Sequence, residues 1–416
     1  MNIKKFILLA VSAIIILVVG TLIIVTPNIK KKGSYSEVVV NDDVATMLDA
    51  TLSDVMITDA TTVDAIIEND SDNDNDNVND VINSIMDKMT TEEKVAQLFF
   101  VVCPTYIAVD VQQEYQFGGY LLFDRDFESY TADDVRTIIS SYQNVSKVPM
   151  LIGVDEEGGT VCRVSNHSQF RDSRFKSPRN VYYEDGLYGI KRDETEKAQL
   201  LNSLGINVNF APVCDISTNP SDFMYDRSLG DTPEMTGEFV KTCIKVSQDN
   251  HVGTVLKHFP GYGNNNDTHK GIVYDERDYE IFVNEDFVPF LAGIEKGAGC
   301  ILMSHNIVVC MDDKYPASIS PKVHKILREE LGFDGVIITD DMSMSAITRY
   351  TDGEDAAVLA IQSGNDMICC SDYETQYAAV LQVVKDGEIS EERIEESVTR
   401  VLKWKIDIGI IDESGI

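Results

Sequence analysis

Positive charge is the scarcest property of this 416-residue chain: 35 lysines and arginines face 69 aspartates and glutamates, for a formal net charge of −34. No basic stripe is visible and phosphate would be repelled, which excludes nucleic acid as a partner. Metal signatures are missing as well. There is no CxxC pair, no HxH and no HExxH, so neither a structural zinc site nor a metallohydrolase helix is supported. Cysteine spacing typical of a small disulfide framework is also absent. The eight cysteines (Cys103, Cys162, Cys214, Cys243, Cys300, Cys310, Cys369 and Cys370) fall largely within apolar runs, and buried free thiols are expected.

What is present begins with an address. Residues 6–25 form an uncharged apolar run, preceded by Lys4 and Lys5 and followed by Lys30, Lys31 and Lys32. As a helix it would rise about 30 Å, enough to cross a bilayer. A cleaved signal peptide is the alternative, but its hydrophobic region is usually about 7–15 residues long and ends at a small-residue cleavage site. Here Thr26-Pro27-Asn28-Ile29 follows, and no Cys lies near for a lipid anchor. Residues 1–32 are therefore expected to be a membrane anchor or signal sequence, with the bulk of the chain outside the cell. Residues 33–80 read as an acidic, largely disordered linker. No Lys or Arg occurs between Lys32 and Lys88, and the tract ends in alternating Asn and Asp over residues 69–77. Those alternating aspartates lack the turn Gly and closing Glu of an EF-hand.

From residue 81 onward the pattern is globular. Eight short apolar runs, at 98–103, 119–123, 150–154, 208–211, 252–256, 300–303, 336–338 and 366–370, alternate with amphipathic stretches at 134–143, 194–204, 233–248, 279–296, 321–331, 353–362, 373–385 and 391–405. Near-continuous apolar strands separated by helices predict a parallel sheet covered on both faces. The fold class expected is α/β, as a single (β/α)8 TIM-type barrel over residues 81–416, with an open doubly wound sheet as the alternative. The barrel is favoured because many runs end in chemistry: Asp155, Asp215, Lys257-His258, His305 and Asp340. A closed barrel gathers many strand ends at its C-terminal face, whereas an open sheet concentrates its site at one switch point.

The densest of these is Lys257-His258-Phe259-Pro260-Gly261-Tyr262-Gly263 with Asp267-Thr268-His269. It reads as a strand running into a glycine-hinged polar loop, in which an Asp two residues before a His can orient that His as an acid/base. Asp340, ending Val336-Ile337-Ile338-Thr339, is suited to be a nucleophile, a metal ligand or an ion-pair partner. Asp155 precedes Gly158-Gly159, where backbone can approach a ligand closely. His258, Asp267, His269 and His305 could supply metal ligands, but Lys257 beside His258 would repel a cation.

Together these stretches resemble glycoside hydrolase family 3, in its β-N-acetylhexosaminidase branch. The resemblance rests on Lys257 to Gly261, Asp267-Thr268-His269, Thr339-Asp340, Met89 to Val95, Phe117-Gly118-Gly119, Asp155 to Arg163, Asn209 to Asp215 and Asp226-Arg227-Ser228. These occur in the family's order over residues of about 85 to 405. It implies Asp340 as nucleophile, His269 as general acid/base paired with Asp267, and Asp155, Arg163, Arg227, Lys257 and His258 as sugar-binding groups, with no cofactor and no metal. Many members carry a second α/β domain that supplies the acid/base. This chain ends soon after the eighth strand and its helices, which leaves His269. Departures are Tyr262 where the branch often has His, a spacer of only Asn264-Asn265-Asn266, and Thr160 and Cys162 where polar or charged residues are more usual.

The activity implied is a retaining exo-β-N-acetylglucosaminidase acting on non-reducing ends of peptidoglycan or chitin-derived fragments, tethered at the cell membrane. β-Glucosidase, β-xylosidase or phosphorolytic chemistry on the same scaffold are the enzymatic alternatives, and a surface sugar-binding module the non-enzymatic one.

Overall fold

A computed structural model describes residues 77–265, 267–268, 270–351 and 356–412, all within one compact unit, Asn73–Ile416. The expected anchor, nearly all of the acidic linker and His269 lie outside the described residues. Among the described residues no helix is long and apolar enough to cross a membrane.

Eight strands form one parallel sheet. They are β1 (Phe99–Val102), β2 (Gly119–Leu122), β3 (Leu151–Val154), β4 (Val208–Asn209), β5 (Gly253–Phe259), β7 (Cys300–Met303), β9 (Val336–Thr339) and β10 (Ile368–Cys370). Two short strands, β6 (Tyr274–Asp275) and β8 (Ile307–Val308), pair apart from it. The large sheet runs in the order β10-β1-β2-β3-β4-β5-β7-β9. Its two ends approach across a bridge between Ile338 and Met367, with Asp366 N–H donating to Ile337 O at 2.8 Å and Met342 N–H to Cys369 O at 2.9 Å. The result is a nearly closed parallel α/β barrel, consistent with the (β/α)8 type. Each expected run contributes a strand, in the expected order.

Alternation along the strands fills two cores. Phe100, Leu121, Leu151, Val208, Val255, Leu302, Ile338 and Cys369 belong to one cluster drawn from every strand, which is the barrel interior. Phe99, Val101, Tyr120, Leu122, Ile152 and Val154 face the surrounding helices. The interior is filled edge-to-face by Phe100 and Phe210, centroids 5.1 Å apart. A Cβ on Gly153 would come within 2.7 Å of Phe210 and 2.8 Å of Phe100, so glycine makes room for both rings. At the N-terminal end, Trp404 lies across Gly253 and Gly299, where a Cβ would approach the indole to 3.0 and 2.4 Å. Helix starts follow local signals. Ser177, Thr232 and Ser320 each cap a helix whose first residue is proline, and Thr90 forms a reciprocal capping box with Glu93.

Three expectations are corrected. The fifth strand does not stop at Leu256 but runs to Phe259, because Lys257 and His258 are buried there by charged partners. The helix expected at 194–204 begins at Pro178 and is interrupted at Gly186 (φ 59°, ψ −153°), with Tyr183 and Tyr188 exposed so that no apolar stripe marks its first half. Of the cysteines, Cys310 is exposed, and the other seven are buried free thiols.

Candidate active site

The polar groups gather at the C-terminal ends of the strands. Glu157, two residues past Asp155, is the hub. Lys257 Nζ lies 2.6 Å from Glu157 Oε1 and 2.7 Å from Asp155 Oδ1. Arg227 grips the same Glu157 with both arms, Nε to Oε2 at 2.8 Å and an Nη to Oε1 at 2.7 Å. Burial alone would push the Glu157 carboxyl up, but Arg227 and Lys257 hold it well below the usual carboxylate range. Against that same burial, Asp155 and Glu157 raise Lys257, and Glu157 raises Arg227, so all three stay ionised. Arg163 reaches Asp155 Oδ2 at 3.7 Å and lies over the Phe123 ring at the end of β2, with 5.3 Å to its centroid.

A second group hangs from Asp215. Its Oδ2 meets His258 Nδ1 at 2.7 Å and takes the His258 N–H at 3.2 Å, while Oδ1 takes the Tyr262 N–H at 2.7 Å. His258 Nε2 is 3.3 Å from an Nη of Arg227, which joins the two groups. Asp340 follows β9, its N–H bonded to Met303 O at 3.1 Å and its Oδ1 accepting from Asp341 N–H at 2.9 Å. Burial carries the Tyr262 phenol up to about 12. Hydrogen bonds from Thr268 oppose the rise, while the negative charges of Asp340 and Asp267 add to it, so both carboxylates act on this ring. Burial pushes the Cys369 thiol inside the barrel up, and the negative charges of Asp341, Asp340 and Asp155 add to the rise. His305 is buried, with Nδ1 2.7 Å from Ser318 Oγ and Nε2 3.1 Å from Asp341 O.

The structure thus brings together Asp155, Arg163, Arg227, Lys257 and His258, with Asp340 and Asp267 acting on the adjoining Tyr262; of His269 it gives no position. Reading the sequence missed four supports. Glu157 was hidden beside Asp155, although two carboxylates before a glycine pair are a signal. Glu156, fully buried, accepts the N–H groups of Arg163 and Val164 at 2.8 Å and of Ser165 at 3.2 Å, which fixes the turn that carries Arg163. Arg179 braces the loop bearing Arg227, donating to Tyr225 O at 3.1 Å, Ser217 O at 2.6 Å and Ser228 Oγ at 3.1 Å. Asp215 reads in the sequence as a strand-end carboxylate within the Asn209 to Asp215 motif, and its hold on His258 emerges only from the fold.

The family model for the glycosyl hydrolase family 3 N terminal domain matches residues 90–404. The chain belongs to glycosyl hydrolase family 3. It is a glycoside hydrolase by that membership. It is similar to a beta-hexosaminidase of Hydrogenovibrio crunogenus, 29% identical over 294 residues that cover 67% of this chain and 78% of the relative. A beta-hexosaminidase of Xanthomonas campestris pv. campestris is 32% identical over 239 residues, covering 55% of this chain and 69% of that one. Among solved structures, a family 3 β-N-acetylglucosaminidase from a Paenibacillus species superposes with a TM-score of 0.72 at 29% identity. That match covers 77% of this chain and 63% of the Paenibacillus chain, so this chain spans less than two-thirds of that protein's length.

Proposed function

We propose that this family 3 barrel is a retaining exo-β-N-acetylglucosaminidase working by double displacement. Asp340 attacks the anomeric carbon and forms a glycosyl-enzyme, while His269, paired with Asp267, protonates the leaving oxygen and then activates the water that releases the sugar. Asp155, Arg163, Arg227, Lys257 and His258 hold the sugar hydroxyls. The observation that carries this reading is the linked Glu157–Arg227–His258–Asp215 network, which locks the sugar-binding groups in fixed rotamers on strand ends before substrate arrives. Two beta-hexosaminidase relatives and the Paenibacillus N-acetylglucosaminidase support the specificity. The substrates we infer are N-acetylglucosamine residues at non-reducing ends of peptidoglycan or chitin-derived glycans. We also propose that residues 6–25 tether the enzyme to the outside of the cell membrane, an assignment that membrane fractionation of the full chain tests.

A panel of aryl β-glycosides, assayed with and without phosphate, tests the reaction. The N-acetyl-β-glucosaminide is expected to turn over fastest, with free sugar as product in both buffers. Asp340→Ala is expected to abolish turnover, and wild-type-like rates would remove the nucleophile assignment. His269→Ala is expected to lower kcat/KM on unactivated glycosides by roughly 10²–10⁴-fold and on activated aryl ones far less, since good leaving groups need little protonation. A sugar-1-phosphate product in phosphate would overturn the hydrolytic reading.

A further inference from the structure

We propose that Tyr262 is a positioning residue whose hydroxyl fixes the Asp267–Thr268 turn to the sugar-gripping end of β5. The proposal rests on the reading of His269 and Asp267 as the acid/base pair. Tyr262 stands one turn beyond β5 and is buried, with its ring edge-on to His258 at 5.6 Å and against Phe223 at 5.7 Å. Its backbone N–H is held by Asp215, the same carboxylate that holds His258. Its hydroxyl accepts the Thr268 N–H at 2.8 Å and shares a hydrogen bond with Thr268 Oγ1 at 2.9 Å. Thr268 is itself only 1% exposed.

An unbroken path therefore runs from His258 through Asp215 and Tyr262 to Thr268, the residue between Asp267 and His269 in the chain. The turn between is braced too: the Asn265 side-chain amide donates to Tyr262 O at 3.0 Å and to Asp275 Oδ2 at 2.7 Å. Phenylalanine at 262 would fill nearly the same volume. It would leave the buried Thr268 N–H without its acceptor, and a buried donor without a partner drives local rearrangement toward water. The consequence falls on the groups flanking Thr268, not on the strand that holds the sugar. Tyr262→Phe is therefore expected to harm proton delivery while sparing sugar binding.

The test measures kcat and KM for a series of N-acetyl-β-glucosaminides from alkyl to dinitrophenyl leaving groups, with His269→Ala as the reference variant. Tyr262→Phe is expected to lower kcat/KM on the poorest leaving groups by roughly 10–100-fold with little change in kcat/KM on the best, where kcat, limited by release of the glycosyl-enzyme, falls together with KM. Thr268→Val keeps the N–H but loses the hydroxyl, and is expected to show the same leaving-group signature more weakly. Thr268→Ser is expected to restore the wild-type profile. The Tyr262→Phe, Thr268→Val double variant is expected to be no worse than Tyr262→Phe alone, because the contact that Thr268→Val removes is one of the two already lost in Tyr262→Phe. Should Tyr262→Phe not fold, the Thr268 pair carries the comparison. Losses of kcat/KM equal across all leaving groups, or a wild-type profile, overturn the proposal while the His269→Ala signature leaves the catalytic reading intact. A wild-type protein inactive on every glycoside, or a His269→Ala variant without the signature, overturns that reading and the proposal with it.

Discussion

Two lysines show how partners decide what burial does to a charge. Lys257 is buried between Asp155 and Glu157 and stays protonated. Lys405 is fully buried at the opposite end of the barrel, where its hydrogen-bond partner is Gln97 Oε1 at 2.7 Å, and burial pulls its pKa down to about 7 from the ordinary 10.5. Because the folded value lies below the unfolded one, the unfolded chain holds a proton between pH 7 and 10.5 that the folded chain has released. Lys405 therefore makes stability rise with pH across that window, by roughly 5 kcal/mol when complete. Thermal melting from pH 7 to 10 should show this gain in the wild type and a flattened profile in Lys405→Met. Identical slopes in the two proteins would mean that the ammonium is not desolvated as described.

The strands and loops divide into those whose sequence declares them and those that need their neighbours. β7 is apolar throughout and its bounds, Cys300–Met303, are those its composition implies. β5 is different: Lys257 and His258, which composition puts at the end of an apolar run, are inside the strand because Glu157 and Asp215, distant in sequence, neutralise and hold them. Glu157 and Arg179 are illegible in the sequence for the same reason, since their roles arise from contacts made 38 to 100 residues away, such as Arg179 with Ser217 and Glu157 with Lys257. The loop after β5 begins at Gly261, whose φ of +130° favours glycine and whose added Cβ would lie 2.2 Å from Asp286 Oδ1. That Asp286 is held by Arg277, which also donates to Gly261 O at 3.2 Å, so the neighbour has little room to yield. Gly261→Ala is expected to cost roughly 1–3 kcal/mol and to lower kcat/KM together with the melting temperature. A variant that melts like wild type would show that the loop entry tolerates a side chain.

The barrel separates stability from chemistry along its axis. Its N-terminal end is sealed by Trp404, and by Asp366, on which Arg328, Arg393 and Arg400 converge. Its C-terminal end carries the linked acids and bases of the site, as expected of a fold whose loops can be revised without disturbing the core. The alternation of apolar runs and helices made the barrel legible, and the family motifs made most sugar-binding candidates legible. Convergence itself, with Glu157 as hub, emerges only when the strands are side by side. The claim on which everything else depends is that Asp340 becomes covalently glycosylated. Incubation with an activated fluorinated analogue of an N-acetyl-β-glucosaminide, which forms the intermediate but releases it slowly, followed by peptide mass analysis, tests it. One added sugar on the peptide containing Asp340 is the result this account predicts; no adduct on an active enzyme, or an adduct on a peptide carrying Asp155 or Glu157 instead, would contradict it.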